Sequence, residues 1–229
     1  MHGRRLATTE AVVALATPDS EDALERLTSW AATEGIDLTV RDVGETVTDD
    51  DYDSASETLG VTVGGDGAFL EGVRAFAPRE IPLLGINTGT LAFLARIRPS
   101  ETATALDEVV RGRGRIHARQ QYHVEGPGLD ATGINEVTVE KSPPERRHGA
   151  KVGRLHAFVD DEYLGEYFGT GLIVNTPTGS TGRALSNGGP IHYPHDNFTL
   201  QIVPYETHNI GGRPVVVSRE ATVSVVPED

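Results

Sequence analysis

Three features are scarce in this sequence, and each scarcity excludes a class of protein. The 229 residues contain no cysteine, which excludes disulfides and thiolate metal sites and fits a reducing, cytoplasmic location. No apolar run approaches the roughly 20 residues that span a bilayer. Only two of the 20 basic residues are lysines, Lys141 and Lys151, and neither follows a Walker-type glycine loop, which excludes P-loop kinases.

Positive charge as a whole is also scarce. Asp and Glu number 34 against 20 basic residues, which gives a net charge of −14. An excess of carboxylates with almost no lysine is typical of a protein that works in molar salt, where screening removes the self-repulsion. An ordinary acidic protein is the alternative. Either way, the charge argues against nucleic acid and anionic membranes as partners.

Strand and helix signals alternate through the first 112 residues. Short apolar runs predict strands at 11–16, 38–43 and 82–89, and another directly before the glycines at 64–67. Apolar residues at helical spacing predict one helix between Ser20 and Gly35, a second after the glycines, and a third capped by Ser100. Such alternation is typical of a parallel α/β sheet.

After about residue 113 the helical spacing disappears. LHAFV and YLGEYF alternate around the acidic turn at 160–162, which predicts a hairpin, and LIVN, TLQIV, PVVV and TVSVV follow as short strands. The predicted fold is therefore an N-terminal parallel-sheet α/β domain, residues 1–112, followed by an all-β, sandwich-like domain, residues 113–229. We expect a ligand site between the two domains.

The glycine run GGDG, residues 64–67, raises a chemical question. Glycines at a strand end let the backbone approach a phosphate, yet phosphate repels the carboxylate of Asp66 unless that group takes a proton or holds a metal. Asp66 is therefore either a plain turn residue or the chemical centre. G-x-G-x-x-G is absent, so a dinucleotide fingerprint fits poorly. A kinase built here must hold phosphates with backbone N–H groups, arginines and a metal ion.

Three more polar stretches follow that loop. NTGTLAF (87–93) begins at a strand end, Asn135 and Glu136 form an amide–carboxylate pair, and TPTGST (176–181) precedes GGP (188–190). Taken singly, they fit a strand-to-helix turn, a surface pair and a surface loop. No GxSxG or HExxH motif occurs, which argues against a serine hydrolase or a zinc protease. His192 and His195 are interpreted as loop residues.

Together and in this order, the four stretches resemble the NAD kinase family. GGDG also occurs in diacylglycerol-type lipid kinases and phosphofructokinases, whereas the Asn-Glu pair joined to TPTGST is specific. The resemblance covers roughly residues 10–226. It implies phosphorylation of the adenosine ribose 2′-hydroxyl of NAD⁺ to give NADP⁺, with ATP, another nucleotide or polyphosphate as donor. It also implies Mg²⁺ or another divalent metal, and a homodimer or homotetramer.

The resemblance also implies residue roles. Asp66 is the expected base near the 2′-hydroxyl, and Asn135 and Glu136 are expected to recognise adenosine. The other residues expected at the dinucleotide are Gly67, Phe93, Thr178, Thr181, Gly182 and Ser186. Those expected at the phosphates or the donor are Gly64, Gly65, Asn87 and Arg183. No metal ligand is assigned.

The sequence departs from the family pattern at several positions. Ala68 follows GGDG where Thr is common, Ala92 replaces the Gly of L-G-F, and Thr170 replaces a carboxylate near the nicotinamide end. Gly182 and Arg183 stand where Ala-Tyr follows TPTGST. A catalytically weak NAD(P)- or nucleotide-binding paralog is therefore the second hypothesis, and a lipid-type kinase the third. The charge pattern favours a halophilic, archaeal-type member.

Overall fold

The computed structural model describes residues 4–5, 9–52, 57–140, 153–193, 198–208 and 212–228. The chain divides into two compact units, Met1–His117 and Ala118–Asp229. In the described part of the chain, no helix combines the length and the apolar character needed to cross a bilayer.

The first unit is an α/β structure. Its strands are β1 (Arg4–Arg5), β2 (Ala11–Ala16), β3 (Asp37–Asp42), β4 (Thr58–Gly64), β5 (Leu83–Asn87) and β6 (Arg115–Ile116), and its helices are α1 (Glu21–Glu34), α2 (Asp66–Phe76) and α3 (Thr102–Val110). The four long strands form a parallel sheet in the order β3-β2-β4-β5, and β1 pairs antiparallel with β6. The predicted parallel α/β architecture is confirmed.

The apolar pattern explains these elements. Strands β2 and β4 are buried at every position because both lie inside the sheet and are covered on both faces. Helix α1 begins after Ser20 and ends at Gly35, whose φ of 69° stops it in the left-handed region. Its Trp30 is buried, and the indole Nε1 donates to Asp107 Oδ1 of α3 over 2.8 Å, which ties the two helices together.

The strand order also determines where a ligand can bind. From β2 the chain moves to β3 on one side, and it then returns to place β4 on the other side of β2. The order therefore reverses between β2 and β4. In open α/β sheets, ligands bind beyond the carboxyl ends of the strands at such a reversal. Thr17, in the loop after β2, and Gly65, between β4 and the first residue of α2, Asp66, lie at this point.

The second unit is an antiparallel sheet. Its elements are β7 (Tyr122–Gly126), β8 (Leu129–Gly133), β9 (Glu136–Glu140), β10 (Gly153–Val159), β11 (Glu162–Asn175), α4 (Arg183–Ser186), β12 (Thr199–Thr207), β13 (Val215–Ser218) and β14 (Val223–Pro227). The sheet order is β13-β12-β11-β10-β14, with β9 also paired to β11, and β7 and β8 form a separate hairpin. Leu172 and Ile202 belong to its main core cluster, whereas Ile173 and Val203 pack with Ala184 of α4.

Two local predictions are wrong. YLGEYF and LIVN, predicted as two strands, form the single 14-residue strand β11. A Cβ at Gly169 would lie 2.9 Å from Glu206 O, and one at Gly171 would overlap Val139 O. These glycines therefore admit neighbouring strands and do not end β11. Ser100 does not cap α3, because it lies in a short 3₁₀ turn, Pro99–Glu101, and the helix begins at the buried Thr102.

Candidate active site

The turn from β4 to α2 contains three glycines in two different situations. A Cβ at Gly64 would lie 2.7 Å from Ala68 Cβ and 2.9 Å from Thr17 Cγ2, so packing requires glycine there. Around Gly65 and Gly67, by contrast, an added Cβ would meet no atom of the described residues within 4 Å. Neither of them has a positive φ. Their lack of side chains is therefore explained by neither packing nor backbone conformation, and it leaves the helix N-terminus open to a ligand.

Asp66 occupies the first position of α2 and joins two of the sequence stretches. Its Oδ2 accepts the backbone N–H of Phe93 over 2.9 Å. Its Oδ1 accepts the N–H groups of Leu94 over 2.9 Å and of Ala95 over 3.2 Å. These three donors stabilise the carboxylate, in addition to any proton or metal. Sequence reasoning missed this structural role, since the partners lie 27 to 29 residues further along the chain.

Asn87, at the end of β5, shapes the loop that Asp66 holds. Its Oδ1 accepts the N–H of Gly89 over 2.9 Å, and its Nδ2 donates to Gly89 O over 3.2 Å. The neighbouring Thr88 N–H donates to Gly64 O over 3.3 Å. The NTGTLAF loop is thus fastened to the glycine loop on one side and to Asp66 on the other. Phe93 is half-buried beside this contact.

In the second unit, the TPTGST loop is built on the backbone of residues 134 and 135. The buried Thr176 donates its hydroxyl to Ile134 O, and its N–H donates to Asn135 O over 3.1 Å. A Cβ at Gly179 would overlap Asn135 O. Thr176 was not among the predicted site residues, although its place at the end of a buried strand was the available signal. The Asn-Glu pair and the TPTGST loop are therefore brought together.

Glu136 is half-buried next to that loop. Its carboxylate accepts the backbone N–H of Arg183, with Oε2 at 3.2 Å and Oε1 at 3.4 Å. Burial raises the pKa of Glu136, and the Arg183 N–H and charge only partly oppose this. A Cβ at Gly182 would lie 2.6 Å from Glu136 Oε2. Glycine at 182 therefore makes room for this carboxylate.

The remaining predicted residues of this unit lie around the same turn. Thr178 is buried, and its N–H donates to Thr176 Oγ1 over 3.1 Å. Thr181 donates its hydroxyl to Thr178 O over 3.4 Å. Ser186 is exposed at the end of α4. The hydroxyls of this stretch thus mainly organise the loop itself.

Arg183 contacts its own unit in a way that the sequence did not suggest. Its Nη1 donates to Glu140 Oε1 over 2.9 Å and to Thr138 Oγ1 over 3.3 Å, and the guanidinium carbon lies 5.7 Å from the Tyr205 ring centroid. The expectation that Arg183 binds phosphate did not include this carboxylate partner, and the side chain is exposed. A phosphate would have to share the guanidinium with Glu140.

Comparisons with known proteins agree with this arrangement. The ATP-NAD kinase N-terminal domain matches residues 45–114, and the ATP-NAD kinase C-terminal domain matches residues 134–229. An NAD kinase of Methanothermobacter thermautotrophicus is 33% identical over 212 residues, which cover 88% of this chain and 71% of that protein. The chain belongs to the NAD kinase family.

Other NAD kinases are similar over a shorter part of their length. An NAD kinase of Marinomonas sp. is 36% identical over 173 residues, or 72% of this chain and 56% of that protein. The chain thus spans little more than half the length of such relatives. The crystal structure of an NAD kinase from Archaeoglobus fulgidus in complex with ATP has a TM-score of 0.75, is 24% identical, and covers 95% of this chain and 81% of its own. That likeness supports the fold.

One departure from the NAD kinase pattern has a neighbour in space. Thr170 replaces a carboxylate, and its hydroxyl donates to Glu206 Oε2 over 2.8 Å. Glu206 lies on β12, the strand beside β11, and has a positive φ of 46°. A carboxylate is therefore present next to position 170, although position 170 does not supply it.

The described residues contain no group of three or more His, Asp or Glu that could hold a metal ion by themselves. Mg²⁺ in kinases is commonly held by substrate phosphates, waters and one or two carboxylates. Asp66 supplies one such carboxylate at the open end of α2. The donor set therefore fits a metal that arrives with the nucleotide.

Proposed function

We propose that this chain transfers the γ-phosphoryl group of ATP to the adenosine ribose 2′-hydroxyl of NAD⁺, giving NADP⁺ and ADP. The observation that carries the proposal is the open N-terminus of α2, where Gly65 and Gly67 leave room for phosphate and Asp66 lies in the first turn. Membership of the NAD kinase family supports the choice of substrates.

The glycine loop is the proposed site of the donor's phosphates. The first N–H groups of a helix have no partner within the helix and carry a partial positive charge. Helix α2 has 11 residues, and its open first turn follows a buried strand. Backbone N–H groups can therefore bind phosphate oxygens here without a lysine. Gly64 is kept for packing, and Gly65 and Gly67 for the approach of the phosphates.

Asp66 is the proposed base. The attacking 2′-oxygen forms its bond to the γ-phosphorus as the bond from that phosphorus to the bridging oxygen of ADP breaks. The hydroxyl proton passes to Asp66. A carboxylate has about four lone-pair positions, and three N–H groups use three of them. Among the described donors, Oδ2 accepts only from Phe93 and keeps a position for the proton, while the same contacts hold the side chain in place.

Adenosine of the acceptor is the proposed ligand of the second unit. Glu136 presents a half-buried carboxylate that can accept from ribose hydroxyls or an amino group. The side-chain amide of Asn135 makes no hydrogen bond to another described residue, and it can donate and accept. Thr181 and Gly182 lie at the same turn. The side chains of Glu136 and Asn135 recognise the polar edges of adenosine, whereas Thr176 stabilises the loop through its hydrogen bonds to residues 134 and 135.

Mg²⁺ is the proposed metal and would be held by the donor's phosphates and by water, since the one acceptor position that Asp66 has left is assigned to the hydroxyl proton. When bound, it neutralises charge on the phosphates during transfer.

We also propose that the protein is halophilic. The support is the excess of carboxylates, 34 against 20 basic residues, together with the near absence of lysine. Most of the ion pairs between described residues involve arginine and lie at the surface, for example Arg113 with Glu108 and Arg154 with Glu166. Such exposed pairs contribute little to stability, so screening by salt is needed to reduce the repulsion among the excess carboxylates.

The experiment for the proposed function is a product assay with variants. The chain is incubated with NAD⁺ and MgATP in near-molar KCl, and NADP⁺ is detected with an NADP⁺-specific dehydrogenase. Asp66→Asn should lower turnover by about 10²- to 10⁴-fold. Asp107→Asn, which alters a carboxylate on α3 that accepts from Trp30, serves as the control for loss of a structural carboxylate. Equal turnover in Asp66→Asn and wild type would contradict the assignment of the base.

A further inference from the structure

Two amide side chains are buried beneath the TPTGST loop. Asn175 ends β11 and Gln201 lies on β12, and neither residue is accessible to solvent. The strand register places them directly opposite each other, so their side chains project from the same face of the sheet. Asparagine and glutamine are mostly exposed in folded proteins. A fully buried pair of them therefore calls for an explanation.

The amide nitrogens of this pair bind the backbone of two motifs. Asn175 Nδ2 donates to Thr176 O over 2.9 Å, and Gln201 Nε2 donates to Pro190 O over 2.7 Å. The first carbonyl belongs to the TPTGST loop and the second to the GGP segment, residues 188–190. The two amides therefore fasten both motifs to the sheet.

The amide oxygens of the pair do not add to its stability. Neither Asn175 Oδ1 nor Gln201 Oε1 accepts a hydrogen bond from a described residue. A buried acceptor without a donor costs free energy, and apolar side chains of the same size would avoid that cost. Stability alone therefore does not explain the pair, whereas a requirement to hold the two motifs in place does.

A glycine of each motif closes over one member of the pair. A Cβ at Gly179 would lie 3.0 Å from Asn175 Cβ, and a Cβ at Gly189 would lie 3.1 Å from Gln201 Oε1. Both distances are shorter than an ordinary van der Waals contact between carbon or oxygen atoms. The TPTGST loop and the GGP segment thus rest directly on the amide pair.

These two contacts lead to the start of α4. Gly182, directly before the helix, donates its N–H to Gly179 O over 2.9 Å, and Gly189 donates its N–H to Ala184 O, also over 2.9 Å. The pair therefore supports the first residues of α4 from two sides. The first N–H of this helix is the one that the Glu136 carboxylate accepts.

We propose that Asn175 and Gln201 are positioning residues for the acceptor dinucleotide. They hold the TPTGST loop and the GGP segment in the arrangement that lets Glu136 and the turn at Gly182 meet adenosine, and they do not touch the substrate themselves. This inference rests on the proposed function, because it concerns the acceptor of that reaction. The proposed site of the donor's phosphates lies in the first unit, so the pair should affect NAD⁺ and not ATP.

The test replaces each amide by an apolar side chain of similar size. Gln201→Met and Asn175→Leu remove the donor and the acceptor together. Ile202→Val is the matched control, because Ile202 is a fully buried neighbour on β12 whose side chain packs in the core cluster on the opposite face of the sheet. KM for NAD⁺, KM for ATP and kcat are measured at fixed salt, and circular dichroism checks that each variant folds.

We expect Gln201→Met and Asn175→Leu each to raise KM for NAD⁺ by about tenfold, equivalent to the loss of about one hydrogen bond. KM for ATP should stay unchanged in both variants, and Ile202→Val should change neither constant. In the double amide variant the rise should be smaller than the product of the two single effects, because both residues act on the same turn. Gln201→Asn, which withdraws the amide from Pro190 O, should also raise KM for NAD⁺ and keeps the test decisive if the apolar variants misfold.

A pair with a purely structural role would lower the folded fraction and leave both Michaelis constants of the folded protein unchanged, and that result would overturn the inference. An equal rise of KM for ATP and for NAD⁺ would overturn it too. If wild type forms no NADP⁺, the proposed function fails. Calorimetric binding of NAD⁺ to wild type and to Gln201→Met then decides the positioning role separately, because equal affinities would contradict it.

Discussion

Gly67→Ala separates stability from ligand binding at the glycine loop. Gly67 lies in the first turn of α2, and an added Cβ meets no atom within 4 Å in the part of the chain that the structure describes. Alanine is a better helix residue than glycine by up to about 1 kcal/mol, so the variant should be as stable as wild type or more so. The same Cβ should obstruct the approach of a phosphate. Losing one charge-assisted backbone contact, about 1.5–3 kcal/mol, lowers kcat/KM for the donor by about 10- to 150-fold.

Gly72→Ala is the matched control, because it makes the same change in the same helix. Its Cβ would overlap Thr62 Cγ2 and lie 3.1 Å from Leu83 Cδ2. Overpacking of this kind costs about 1–3 kcal/mol of stability, while activity per folded molecule should persist. Urea unfolding and initial rates with varied ATP are measured for both variants at fixed salt. A Gly67→Ala protein with unchanged kcat/KM would refute the view that this glycine is kept for a ligand.

Four further predictions concern the second unit and the charge. Burial raises the pKa of Glu136 in the folded chain. The stability that this shift contributes is therefore present below the pKa that Glu136 has in the unfolded chain, and it is lost as the pH rises through the folded-state pKa. At pH 7, the urea concentration at the unfolding midpoint should therefore be higher for Glu136→Gln than for wild type, and at pH 3 the two midpoints should be equal. KM for NAD⁺ should rise in the variant. The exposed Arg183–Glu140 pair should show a coupling energy of at most about 1 kcal/mol in a double-mutant cycle; a larger value would show that the pair is a main support of α4. If Arg183 also binds phosphate, Arg183→Ala should raise one Michaelis constant, and Glu140→Gln should not. Circular dichroism and activity should both fall as KCl is lowered from molar concentration, and full stability in dilute buffer would remove the halophilic proposal.

The strands and helices of the first unit could be predicted because each is marked by residues within or next to the element itself. AVVALA is apolar at every position and forms the fully buried strand β2. Ser20 and Gly35 bound α1 as expected, although the Ser20 hydroxyl donates to Thr17 O and makes no bond to the helix. In a parallel α/β unit each strand is followed in sequence by a helix, so the spacing of apolar residues identifies both elements. The prediction that Ser100 caps α3 was wrong because Ser100 lies in a 3₁₀ turn that precedes the helix.

The second unit was harder to predict because its decisive contacts are distant in sequence. Gly169 and Gly171 have the appearance of breaks, and only the positions of β12 and β9 show why glycine is needed within β11. The same holds for Thr176, whose hydroxyl reaches back 42 residues to Ile134 O. Composition and spacing contain no information on such pairings.

The site residues show the same limit. The four polar stretches could be found in the sequence, and the hydrogen bonds that join them in pairs could not. Asp66 was singled out for its chemistry, yet its three N–H donors lie beyond the next strand. Arg183 was expected at the phosphates, and its exposed side chain also pairs with Glu140. In both cases a charged side chain has a protein partner that only the folded chain supplies.

The most direct test of the account is the product formed from NAD⁺ and MgATP in near-molar KCl by the wild-type chain and by Asp66→Asn. We predict that wild type yields ADP and a dinucleotide with a 2′-phosphate, identified by phosphorus NMR and by an NADP⁺-specific dehydrogenase. Asp66→Asn should bind both substrates and turn over about 10²- to 10⁴-fold more slowly. A folded wild-type chain that binds NAD⁺ and ATP but forms no 2′-phosphate, or an Asp66→Asn variant as fast as wild type, would contradict it.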